Sequence, residues 1–206
     1  HIAEQMFSIH IPITVGACVY YARSMEALPE DLKEVNPTIF LGVPRVWEKM
    51  RAKIQTALDG ATGVKARLAQ WALGVGKRAS AKRNRGEDLD PWLRAQHALA
   101  DRLVLGKVRA RLGFDALRVA VTGAAPISRD VLEFFSCLGI IIHEVYGQSE
   151  GSGPTTFNVP GDTRFGTVGK PLPGTDVVLG DDGEIRVRGP HVFAGYFKNE
   201  AATSET

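Results

Sequence analysis

Cysteine is scarce in this sequence: only Cys18 and Cys137 occur. Two cysteines without metal-ligand spacing weigh against both a disulfide and a cysteine-built zinc site. Both lie in apolar stretches, so buried, reduced thiols in a cytoplasmic setting are expected. Long hydrophobic runs are missing too. The longest apolar window, from Ile11 to Ala22, is shorter than the roughly 18 residues a membrane span needs, and Pro12 and Gly16 interrupt it. Neither sign of charge is in excess. Lys plus Arg number 25 against 23 acids, a net charge of +2, which speaks against nucleic acid as a partner and against a disordered acidic tail. There is no G-x-x-x-x-G-K-[ST] loop, internal repeat or low-complexity tract. A basic leader with a cleavage site is also absent, and the chain opens on His1, so it reads as a cut through a larger protein.

What is present reads as alternating strands and helices. Residues 1–17 have helical spacing with a break at Pro12, and "CVYYAR" has the β-branched and aromatic content of a strand. "MEALPEDLKEV" reads as a helix, "TIFLGVP" as a short buried strand, and "PRVWEKMRAKIQTAL" as a helix with Pro44 in its first turn. Residues 62–112 form a charged helical insert jointed near Gly86 and Pro91. "ALRVAVTGAAP" and "IIIHEVYG" are strands separated by a helix with Ser128 as its N-cap. Beyond Gly151 the composition turns to Gly, Pro, Thr and Asp, and "DVVLGDDGEIRVRG" alternates around an Asp-Gly turn as a hairpin. The expectation is an α/β unit over 1–155, a parallel sheet flanked by helices, followed by the start of an antiparallel β subdomain over 156–206.

"YGQSEG" contains G-x-S-x-G, the pattern of a serine nucleophile elbow. Such an elbow needs a helix after the serine. "EGSGPTTFNVPGD" cannot supply one, because it holds three glycines and two prolines. A triad through Asp162, Asp176 or Asp181 and then His191 has no spacing that selects among the acids. The competing reading places both "VTGAAP" and "EVYGQSE" at the carboxyl ends of parallel strands, where α/β sheets bind ligands. Gly123, Ala124 and Ala125 would let backbone amides approach a ligand. Tyr146 offers a stacking face, and Glu150 is a hard oxygen ligand suited to Mg²⁺. A G-x-G-x-x-A at Gly74 to Ala79 lies within the helical insert with no strand before it, so it carries no dinucleotide signal. His143 reads as a satisfied core histidine.

These stretches, taken in order, resemble the adenylate-forming superfamily of acyl-CoA synthetases, luciferases and peptide-synthetase adenylation domains. "VTGAAPIS" is similar to its adenine loop, "EVYGQSEG" to its Y-G-x-[ST]-E motif, and "GEIRVRGPHVFAGYF" to its later G-E-[IL] block. "VGKPLPGTDVVL" lies between them where the family has V-G-x-P-x-P-G. "LGVPRVWEKM" is similar to the gate motif of long-chain acyl-CoA synthetases, and the helical insert is a long-chain feature. The actinobacterial and mycobacterial fatty-acid ligases look most similar.

The resemblance implies a two-step reaction. A fatty carboxylate attacks the α-phosphorus of ATP to give acyl-AMP and pyrophosphate, and the thiol of coenzyme A then displaces AMP. Gly123, Ala124, Ala125 and Pro126 would line the adenine and ribose together with Glu144, Val145, Tyr146, Gly147, Gln148 and Ser149. Glu150 would hold Mg²⁺, Trp47 would gate the acyl tunnel, and His1 would be the active-site histidine. A fatty-acyl-AMP ligase loading a carrier protein is the neighbouring alternative. The family's P-K-G phosphate loop, its T-G-D aspartate and its C-terminal lysine do not occur, so negligible ligase activity is expected of these residues alone. Lys77, Arg78, Lys82, Arg83 and Arg85 follow Leu68, Trp71, Ala72 and Val75 at helical spacing, which suggests a solvated helix face or transient contact with an anionic membrane surface.

Overall fold

The computed structural model describes residues 2–205, so His1 lies outside the described residues. The chain opens with helix α1 (Ile2–Gln5), a π turn (Met6–His10) and α2 (Ile11–Val15) in one run. Pro12 does not break it. The π turn closes with Ile11 N–H on the Met6 carbonyl, and Pro12 falls in the first turn of α2, where a missing N–H is tolerated. Gly16, at φ 69°, caps the end.

The strand expected at "CVYYAR" does not form. Tyr20 and Tyr21 are 67% and 69% exposed, and Cys18 is exposed rather than buried. β-Propensity acts only through a paired neighbour, and among the described residues nothing pairs with this stretch. Arg23 instead binds Asp31 through its backbone N–H, at 2.9 Å, and its Nε, at 2.7 Å. Cys137 is half-buried, and burial pushes its thiol up.

Helix α3 (Leu28–Val35) leads into β1 (Ile39–Leu41) and α4 (Pro44–Asp59). Pro44 starts α4 after an extended Val43, matching the fixed φ of proline to the first helical position. Val46, Trp47, Met50 and Ile54 bury one face of it. The insert is α5 (Gly63–Asn84), then α6 (Pro91–Ala100), a second π turn (Asp101–Leu105) and α7 (Gly106–Leu112), with the joint where Gly86 and Pro91 indicate. Asp90 caps α6 by accepting from Leu93 N–H at 2.9 Å. Small residues on α5 allow close approach to helix α8 (Arg129–Cys137). A Cβ on Gly76 would lie 2.3 Å from the Cys137 carbonyl oxygen. Within the Gly74 to Ala79 pattern, Gly76 and Ala79 are thus helix-packing positions, whereas Gly74 faces open space.

Strands β2 (Val119–Thr122) and β3 (Ile142–Gln148) flank α8 in sequence. Ser128 occupies the N-cap position of α8, but its hydroxyl makes no capping bond. β4 (Gly153–Phe157) and β5 (Lys170–Pro171) complete a sheet of order β1-β2-β3-β4-β5. The first three strands are parallel and the last two pairings antiparallel. β6 (Asp176–Leu179) and β7 (Ile185–Arg188) form a separate antiparallel hairpin turning at Gly183, φ 85°. A short α9 (Glu200–Glu205) follows. This is an α/β architecture with helices flanking a mixed sheet whose first three strands are parallel.

The core joins α4, α5, α8 and the insert around Trp47, Phe114, Leu132, Phe135 and Ile142. Ala72 and Val75 are fully buried in it. The apolar stripe upstream of the basic run is therefore core-facing.

Candidate functional site

The parallel register sets the site. Thr122, the last residue of β2, stands opposite Glu144 of β3, so the turn after β2 leaves the sheet beside Val145. A Cβ on Gly123 would lie 2.6 Å from Val145 Cγ1 and 3.1 Å from its carbonyl oxygen. Only glycine lets these two backbones approach so closely. Ala124 sits in the left-handed region at φ 67°, and Ala124, Ala125 and Pro126 are exposed at the rim. The alanine turn and the tyrosine segment are neighbours at the carboxyl edge of the sheet, where a crevice binds ligands in such folds.

Along β3, Glu144, Val145 and Tyr146 are half-buried, and Gly147, Gln148 and Ser149 are exposed. Glu144 turns to the segment after β4. Its Oε2 accepts from Gly166 N–H at 3.0 Å, and burial raises its carboxyl despite that bond. Between Tyr146 and Gly147 the pairing with β4 shifts register. There a Cβ on Gly147 would lie 1.9 Å from the Gly153 carbonyl oxygen, so a side chain is excluded by backbone.

The chain then tightens into a 3₁₀ turn, Ser149–Gly151, instead of an α-helix. The elbow geometry is absent. No hydrogen bond joins Ser149 to a histidine among the described residues; Ser152 Oγ donates to the His191 carbonyl at 2.7 Å. Asp162 is engaged by Lys170. Glu150 is held from two directions by the strand-to-helix segment after β7. Phe193 N–H donates to its carbonyl oxygen and Tyr196 Oη–H to Oε1, each at 2.7 Å. The Tyr196 bond, first among its causes, holds the Glu150 carboxyl below the usual range, so it is anionic at neutral pH. No group of three or more His, Cys, Asp or Glu side chains gathers for a metal among the described residues. A single partly exposed carboxylate fits Mg²⁺, which takes one or two carboxylates and fills the remaining positions with water and phosphate oxygens. Tyr196 and Phe193 were not singled out in the sequence. The G-Y block was the only signal of them, and it does not say what they touch.

Trp47 follows the carboxyl end of β1, whose continuation Gly42 donates to Val121 O at 3.0 Å. It is fully buried, its Nε1–H donates to the Gly42 carbonyl at 2.9 Å, and Phe40 and Phe135 meet it edge-on at 5.3 and 5.1 Å. His143 is a satisfied core histidine. Nδ1 pairs with Thr163 Oγ1 at 2.7 Å, and desolvation lowers its pKa. Of the basic run, Lys82 pairs with Asp90 at 3.1 Å, Arg85 with Glu87 at 2.5 Å, and Arg78 donates to Gln96 at 3.0 Å. Among the described residues no helix is long and apolar enough to cross a membrane.

Known proteins share this organisation. The chain is 44% identical over 207 residues to fadD11 of Mycobacterium tuberculosis, which carries a fatty-acid–CoA ligase name; the match takes in 100% of this chain and 36% of that protein. It is 39% identical over 214 residues to the long-chain-fatty-acid–CoA ligase ACSBG2 of Xenopus laevis, across 100% of this chain and 29% of the relative. The chain thus spans about a third of the length of these relatives. Among solved structures, o-succinylbenzoate CoA synthetase (MenE) of Bacillus subtilis, in complex with the acyl-adenylate intermediate OSB-AMP, superposes with TM-score 0.59 at 16% identity, over 100% of this chain and 33% of that one. A benzoate CoA ligase from Burkholderia xenovorans gives TM-score 0.56 at 19% identity, over 95% and 32%. Those two likenesses concern fold. The model of the AMP-binding enzyme family matches residues 1–197, nearly the whole chain, and the protein belongs to that family.

Proposed function

We propose that this chain forms the adenosine-binding part of an ATP-dependent long-chain fatty acid–CoA ligase. The observation that carries the reading is the register of β2 on β3, which brings Gly123 against Val145. Gly123, Ala124, Ala125 and Pro126 line one side of the adenosine and Glu144 to Ser149 the other, with Tyr146 offering its ring to the base. Glu150 holds Mg²⁺. That ion, when bound, offsets the repulsion between a carboxylate and a polyphosphate. The anionic state of Glu150, set by Tyr196, suits this task. A fatty acid supplies the attacking carboxylate, ATP the adenylate and coenzyme A the final thiol. The relatives' names support this substrate class.

Trp47 serves as the acyl gate, its packed position between Phe40 and Phe135 being the closed one. His1 contributes the active-site histidine from outside the described residues. The residues past 155 begin a second, β-rich unit; β4 and β5 carry the chain along the main sheet, and the separate β6–β7 hairpin supports the reading. The activity is cytoplasmic. Lys77, Arg78, Lys82, Arg83 and Arg85 give the insert transient contact with an anionic membrane surface, a reading supported by the exposed Trp92 beside Arg78, Lys82 and Arg85.

AMP titration of the ¹⁵N-labelled chain tests the reading. Amide shifts should gather at 123–126 and 144–150. Tyr146→Ala should weaken binding about tenfold, since stacking is worth about 1–3 kcal/mol. Shifts confined to the other edge of the sheet would refute it.

A further inference from the structure

A cleft of about 800 Å³ is at the opposite edge of the sheet from the candidate site. Leu117, Arg118, Ile140 and Ile141 line it, and these residues precede β2 and β3, whereas Gly123 and Gly147 lie at the strands' carboxyl ends. Its volume is that of a small-molecule pocket.

Its charge is one-sided. Arg83 enters from α5, Arg102 from the second π turn, Arg109 from α7 and Arg118 from the lead into β2, against the two acids Asp101 and Asp115. Arg109 already neutralises Asp101 with a two-pronged bond, Nη1 to Oδ1 at 2.7 Å and Nη2 to Oδ2 at 3.0 Å, and its Nη1 also donates to the Leu138 carbonyl. Arg83, Arg102 and Arg118 form no ion pair among the described residues. His97 lines the same cleft, and its pKa is lowered by burial and by Arg83, with Asp101 opposing and Arg109 adding a smaller push. At the floor, Ser80 and Ser136 are more than nine-tenths buried and hydrogen-bonded to each other. Two hydroxyls carry two protons and their mutual bond uses one, so the pair retains a proton to donate.

We infer that this arginine-lined cleft binds a phosphate-bearing small molecule, with Arg83 and Arg118 as the principal cationic contacts. A phosphate group offers several acceptor oxygens, and guanidinium forks match that geometry. An anion there also relieves the mutual repulsion of the arginines and of His97 when it is protonated. The site shares no residue with the adenosine crevice, so its failure would leave the ligase reading untouched, and the converse holds.

The test uses the 206-residue chain and three probes: inorganic phosphate, pyrophosphate, and vesicles of phosphatidylcholine with or without phosphatidic acid. Binding is followed by calorimetry and by the His97 ring resonances, assigned with His97→Gln. Phosphate or pyrophosphate should bind saturably and raise the His97 titration midpoint. The Arg83→Gln/Arg118→Gln double variant should bind at least about tenfold more weakly. Lys65→Gln/Arg67→Gln, which removes the same charge from exposed positions outside the cleft, should bind normally. Arginine-dependent retention on phosphatidic acid vesicles, without soluble binding, would identify the anion as a lipid headgroup. Equal losses in both double variants, or no saturable binding to any probe, would overturn the inference. Circular dichroism of the variants separates loss of a contact from loss of fold.

Discussion

Tyr196 Oη–H reaches Glu150 Oε1 at 2.7 Å across 46 positions of sequence, tying the end of the β-rich segment to the turn after β3. The phenol stabilises the ionised carboxylate, so the bond is worth more when Glu150 is charged. Tyr196→Phe should therefore raise the Glu150 titration midpoint toward the ordinary glutamate value, as read by carboxyl ¹³C NMR. The sign for stability follows from a depressed native pKa. The contribution is present above the unfolded glutamate pKa and is lost as pH falls through the native one. Wild-type and variant unfolding curves should differ at neutral pH and converge in acid. An unchanged midpoint would show that another group sets the charge of Glu150.

Gly147 and Gly123 are both crowded, but by different neighbours. A Cβ on Gly147 would meet the Gly153 carbonyl at 1.9 Å, whereas one on Gly123 would first meet the Val145 side chain at 2.6 Å. Backbone in a paired strand cannot yield without breaking the β3–β4 ladder. A valine methyl can move by rotation about χ1, at the cost of a less favoured rotamer. Gly147→Ala should cost about 3 kcal/mol or more in urea unfolding, and Gly123→Ala about 1–2 kcal/mol. The reverse order would contradict the register shift at Tyr146/Gly147.

Much of this arrangement was legible in the sequence because its signals are local. Apolar runs bounded by Gly and Pro marked β1, β2 and β3, and Asp182–Gly183 marked the hairpin. The alternation of strand and helix then implied that the carboxyl ends of β2 and β3 would meet. What failed or went unseen depends on distant partners. "CVYYAR" has strand composition but no neighbour to pair with, and the local break expected at Pro12 was absorbed by a π turn. Ser128 has the residue type and position of a cap but not the bond. The hold of Tyr196 on Glu150 joins two motifs that were each recognisable, yet nothing in their spacing states the contact.

Trp47 fills the centre of an aromatic cluster, and its indole N–H satisfies the Gly42 carbonyl. Trp47→Ala should destabilise the chain by about 3–5 kcal/mol, because a buried ring is lost and the cavity closes only in part. Trp47→Phe keeps most of the apolar contact and removes the donor, so it should cost less, about 1–3 kcal/mol. A change below about 1 kcal/mol for the alanine variant in denaturant titration would show that the ring contributes little to the packing of this cluster.

Ala124 holds φ 67° with a Cβ, a conformation that costs an L-residue roughly 1 kcal/mol or more relative to glycine. Glycine at this site would relieve the strain, but it would also add conformational freedom to the unfolded chain, worth about 0.4–1 kcal/mol in the opposite direction. Ala124→Gly should therefore change stability by less than about 1 kcal/mol. Ala124→Val should lose at least about 1 kcal/mol, since a β-branched residue fits the left-handed region worst. Thermal unfolding of the two variants separates conformational strain from lost contact, because the alanine side chain is exposed and little packing goes with it. If valine is tolerated as well as glycine, the turn after β2 is free to relax. In that case the close approach of Gly123 to Val145, and not the φ of Ala124, fixes the shape of the crevice at the carboxyl ends of β2 and β3.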